Sequence, residues 1–89
     1  MNDIKQIEPD EVGDLPAGLD QRLATILDKV RQVYTSSANR MFSTMLEGEE
    51  NIYKALNRHW PDKQRIDELR KRSLDLVRSK FQNIVKSSS

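Results

Sequence analysis

The stretch Leu19–Val33, LDQRLATILDKVRQV, decides the fold. Its apolar residues Leu19, Leu23, Ile26, Val30 and Val33 step by four, three, four and three, the rhythm of a helix seam packed against another helix. Leu27, Tyr34, Ala38, Met41 and Met45 carry the pattern onward on an adjoining stripe, drifting as a 3.6-residue helix drifts from a 3.5-residue repeat. Asp20 falls in the first turn, where a negative charge suits the helix dipole. No glycine or proline interrupts before Gly48, so the spacing predicts a first helix over about 18–47, roughly 43 Å long.

Toward the C-terminus, Gly48 followed by Glu49-Glu50 reads as a stop and restart. Glycine favours a helix end and acids favour the next beginning. Ile52, Tyr53, Leu56 and Trp60 then imply a second helix over about 49–59. The competing reading is one continuous helix that tolerates Gly48 at a cost of about 1 kcal/mol. Trp60-Pro61-Asp62 is a firm boundary, because the residue before proline is pushed out of the α region and proline suits a first helical turn. A third helix over about 62–86 follows, with Ile66, Leu69, Leu76, Val77 and Ile84 on one face and Leu74, Phe81 and Val85 flanking. Residues 87–89, all serine, are expected to fray. There is no alternating β-branched run and no hairpin turn, so the fold class is all-α.

Short connections make successive helices antiparallel neighbours. The architecture is therefore an antiparallel helical hairpin or a small three-helix bundle. Its seam sets Leu23, Ile26, Val30, Val33 and Met41 against Ile66, Leu69, Val77 and Ile84. The third helix is apolar over a wider arc than one neighbour covers. That calls for either a third helix folded back at Gly48 or a dimer closing a helical bundle.

Working back toward the N-terminus, residues 1–18 contain Pro9, Gly13, Pro16 and Gly18 without periodicity. Such a segment cannot bury enough apolar surface to offset its ordering entropy, which predicts a disordered tail. Ile4, Ile7, Val12 and Leu15 could still dock on a partner. The tail carries five acids against Lys5 alone, a net of −4 in a chain of net +1. An acidic tail on a basic body invites a partner, although the acids also simply aid solubility.

An 89-residue chain buries only about 60% of its unfolded surface. Small domains usually add disulfides, a metal or oligomerisation. There is no cysteine and a single histidine, His59, which leaves oligomerisation. No run approaches the roughly 18 apolar residues of a membrane span. The N-terminus lacks the basic start and apolar run of a secretory signal. The chain reads as soluble and cytoplasmic, or exported without a cleavable signal.

The sequence holds no P-loop, GxGxxG, CxxC or HExxH motif, so no enzyme activity, cofactor, metal or small-molecule substrate is expected. His59 beside a helix end reads as a partner to last-turn carbonyls. Candidates for binding a protein partner are Met41, Phe42 and Met45, a soft cluster, with Tyr53 and Trp60, residue types found at interface hot spots. As core fillers and a cap across a turn they need no partner at all. Thr35-Ser36-Ser37-Ala38 is either a close helix crossing or an indifferent exposed stretch. A nucleic-acid-binding role is the alternative, using Arg70, Lys71, Arg72, Arg78 and Lys80 on the basic third helix. However, successive residues at about 100° spread Arg70, Lys71 and Arg72 over about 200°. Asp67, Glu68 and Asp75 interleave with them at spacings typical of a solvated helix face. The expectation is thus a non-enzymatic protein–protein interaction module, first of all a homo-oligomer.

Overall fold

The computed structural model of the chain describes residues 4–60 and 62–88. Among the described residues there are three helices and no strand: α1 at Pro9–Val12, α2 at Gln21–Ala55 and α3 at Lys63–Ser88. At 1.5 Å per residue α2 alone is about 52 Å long, and it sets the longest dimension of 54 Å. Asp20 is its N-cap, its carboxylate accepting the Leu23 N–H at 2.8 Å.

The helix predicted to stop at Gly48 runs straight through it. A Cβ built there meets nothing within 4 Å, so glycine is a cost in propensity and not a break. Helix α2 ends at Asn57, which adopts a φ of 57°. The Arg58 N–H donates to the Tyr53 carbonyl at 2.8 Å and the Asn57 N–H to Lys54 at 3.1 Å, the paired bonds of a Schellman cap. One helix therefore replaces the two expected over about 18–47 and 49–59. At the start of α3 the Asp62 carbonyl accepts the Ile66 N–H at 2.9 Å. The Pro61 of the predicted boundary lies outside the described residues.

Helices α2 and α3 pack side by side in opposite senses. Glu49 pairs with Arg65, Met45 meets Ser73, and the rings of Tyr34 and Phe81 stack edge-on at 6.4 Å, so numbers fall along one helix as they rise along the other. Ser73 is fully buried, its hydroxyl donating to the Leu69 carbonyl at 3.0 Å and approaching the Met45 sulfur at 3.7 Å. The buried row of α2 is Leu27, Thr35, Ala38 and Phe42. This corrects the predicted seam: Ile26 and Val33 are exposed, while Leu23, Val30, Met41 and Ile84 are half-buried. The apolar arc of α2 is wide enough to hold two overlapping stripes. Packing selects the one that carries Ala38 and Phe42, both enclosed in the core cluster. On α3 the buried residues are Ile66, Leu69, Ser73, Leu74, Val77 and Phe81.

Where composition predicts a disordered tail, residues 4–18 lie along both helices. Ile7 and Val12 are as buried as any core residue and join one cluster with Ala38, Phe42, Leu69, Val77 and Phe81. Pro9 opens α1, and the Glu8 N–H donates to the Glu11 carboxylate at 2.8 Å. Gly13 is seated so closely that a Cβ would come within 2.9 Å of the Phe81 ring. Gly18, at a φ of 84°, turns the chain toward α2. The physical reason for the difference is the wide face of α3, which residues 4–13 cover from the same chain. Residues 1–3 of the expected tail lie outside the described residues. The frayed end is also shorter than expected: α3 reaches Ser88, and Ser87 and Ser88 donate to the Asn83 and Ile84 carbonyls at 3.0 Å. Ser89 lies outside the described residues.

Candidate partner-binding surface

The five candidate partner residues do not form one exposed patch. Phe42 is in the core, and Met41 and Met45 are half-buried against it. Tyr53 and Trp60 meet edge-on at 4.9 Å between ring centroids, closing the end of α2 over the turn. Their aromatic faces serve each other, and Trp60 also packs on the core cluster.

The basic candidates separate as well. Arg70 is drawn in beneath the arm formed by residues 4–13. Its Nε donates to the Lys5 carbonyl at 3.0 Å, and one terminal nitrogen donates to the Gln6 carbonyl at 2.9 Å and the Glu11 carboxylate at 2.6 Å. That hydrogen bond holds the Glu11 pKa below the ordinary value of 4.5, with burial opposing the shift. Lys71 faces Asp75 at 3.5 Å with both side chains largely exposed, a pairing worth little. Arg72, Arg78 and Lys80 are exposed. Sequence reasoning identified Arg70 as a candidate for an external ligand; its ligand is the chain's own arm.

The rest of the arm is held from α2. Asn39 acts as a neighbouring strand would, accepting the Ile7 N–H at 2.8 Å and donating to the Ile7 carbonyl at 3.0 Å. Arg31 donates to the Gly13 carbonyl at 3.0 Å and to Asp28 at 2.8 Å. Burying Ile7 and Val12 contributes about 1.5–3 kcal/mol each, whereas ordering each arm residue costs about 1 kcal/mol or more. Those opposing terms leave the polar contacts to decide whether the arm stays seated.

What the sequence reading missed is the other side of the helix pair. Ile26, Val33 and Leu76 stand 54%, 68% and 50% exposed, large aliphatic side chains open to water. Helical geometry places Ile26, Val30 and Val33 about 120–180° round α2 from Asn39, and Leu76 about 120° round α3 from Arg70. Both sets therefore look away from the arm. Leu76 lies between Ser73 and Phe81, whose partners are Met45 and Tyr34. It is thus alongside the middle of α2, near Ser37 and Met41. Ile52 and Leu56 are exposed separately, toward the end of α2.

Among the described residues no group of three or more His, Cys, Asp or Glu could hold a metal ion, and no helix is long and apolar enough to cross a membrane. The hollows along the outside of α3, one of them lined by Glu68, Lys71, Arg72, Asp75 and Leu76, are open grooves on a single helix. No family model, curated protein or solved structure matches the chain.

Proposed function

We propose that the chain is a non-enzymatic protein–protein interaction module whose working surface is the helix face centred on Ile26, Val33 and Leu76. The observation that supports this reading is the exposure of these three aliphatic residues on one side of a small domain that buries its other side under its own arm. Large aliphatic side chains exposed along one side of a helix pair, rimmed by polar residues, are characteristic of an interaction site. Val30 and Leu23, half-buried beneath the stripe, give it depth. Self-association through this face would close two pairs of helices into a bundle; a different helical protein would be held in the same way.

The test is solution mass by light scattering, at low and high salt, for the full chain and for Val33→Asp. The variant should keep its helical content, because Val33 contacts water and not the core. If the wild-type chain associates, Val33→Asp should return it to a monomer. Association that survives this substitution unchanged would show that another surface is at work.

A further inference from the structure

Resting on that reading, we infer that the face carrying Ile26, Val33 and Leu76 receives an acidic amphipathic helix of a different protein, its carboxylates set against a basic rim. The rim consists of Arg22, Lys29 and Arg40 on α2 with Arg72 and Lys80 on α3, all exposed. Helical geometry puts the first three within about 60° of Ile26 or Val33, and Arg72 and Lys80 within about 40° of Leu76. None of the five makes an ion pair among the described residues. Asp28 accepts from Arg31 and Gln32, and Asp75 faces Lys71; Glu47, exposed and about 40° round α2 from Val33, places one carboxylate beyond Arg40. The arginines of the opposite side, Arg31 and Arg70, by contrast both donate to the arm.

This distribution of charge selects among occupants. Two copies meeting through this face would oppose like charges around an apolar centre, which is disfavoured. A nucleic acid would meet the charges, but aliphatic side chains offer its bases no stacking surface. An acidic helix with an apolar stripe answers both features. The chain itself shows how such a segment is held, since the acidic arm buries Ile7 and Val12 while Glu11 takes the Arg70 guanidinium. From Arg22 to Arg40 the face is about 27 Å long, so it spans a helix of about five turns. Ser37, small and half-buried between Val33 and Met41, lets that helix approach closely.

The experiment uses the full chain and three synthetic 18-residue peptides with one shared leucine stripe, flanked by glutamate, glutamine or lysine. Fluorescence anisotropy should show the glutamate peptide binding at least about tenfold more tightly than the lysine peptide, with the preference shrinking at high salt. The double variant Lys29→Glu, Arg40→Glu should reverse the preference, whereas Arg78→Glu, exposed and about 160° round α3 from Leu76, should leave it intact. Val33→Ser should weaken all three peptides. Equal binding of the three peptides, or tighter binding of a single-stranded DNA of matching length, overturns the acidic-helix assignment. So does a stable wild-type dimer that Val33→Asp dissociates, although that result would uphold the face itself. If Val33→Ser changes nothing while the charge variants do, the face reading fails and only an electrostatic surface remains. Circular dichroism of each variant verifies that the helices persist.

Discussion

Single side chains separate the two apolar stripes of α2 more sharply than any pattern does. Phe42 is enclosed, so Phe42→Ala should cost about 3–5 kcal/mol, the usual loss for a large core truncation. Val33 faces water, and Val33→Ser should stay within about 0.5 kcal/mol of wild type. Urea denaturation followed by circular dichroism measures both, and comparable losses would mean that the stripes have been exchanged. Gly48 offers a second test at this scale. In the interior of a continuous helix with open space at its Cβ, Gly48→Ala should stabilise by about 0.5–1 kcal/mol. In a domain this small that raises the thermal midpoint by about 2–8 °C. A lower midpoint would indicate that glycine is needed there for its backbone freedom. Asn57, at a φ of 57°, is where that freedom is actually used.

At the scale of elements, α2 and α3 were legible because helix periodicity repeats over many residues and accumulates. The end of α2 was not, because Gly48 is a more familiar stop than Asn57, and only the backbone bonds of Asn57 and Arg58 reveal the cap. The arm was illegible for a different reason. Its order depends on Asn39, Arg70 and Phe81, 32 or more residues away, and no local window contains them. The same remoteness hid the exposed face: periodicity shows that a stripe is apolar but not which side its neighbours cover. The arm carries its own prediction. Because the Glu11 pKa is depressed in the folded chain, its bond to Arg70 contributes fully above the ordinary value of 4.5 and is lost as pH falls through the lower folded value. Amide chemical shifts of Ile7 and Val12 should therefore move toward random-coil positions on acidification, before those of Leu69 and Val77. In Arg70→Ala the arm signals should already be displaced at neutral pH, and no separate acid step should remain.

The molecule as a whole is one asymmetric object. One long side is sealed by the arm, and the other is apolar, basic and open. The sealed side is also the more weakly secured, since among the described residues two enclosed aliphatic side chains, the half-buried Ile4 and Leu15, one ion pair and a few hydrogen bonds tie the arm down. Native-state hydrogen exchange should accordingly show the Ile7 amide opening at lower free energy than amides in the middle of α2 and α3. Uniform protection across all three would make the arm an inseparable part of a single cooperative unit.

The seating of Gly13 against Phe81 also has a consequence for how the chain is made. Synthesis proceeds from the N-terminus at about 5–20 residues per second. The arm is translated early, yet the ring it rests on appears roughly 3–14 seconds later at those rates. The arm therefore leaves the ribosome before the helices it rests on and settles after them. Throughout that interval its acidic, aliphatic residues are unclaimed, and chaperones or neighbouring nascent chains have time to meet them before their own helices do.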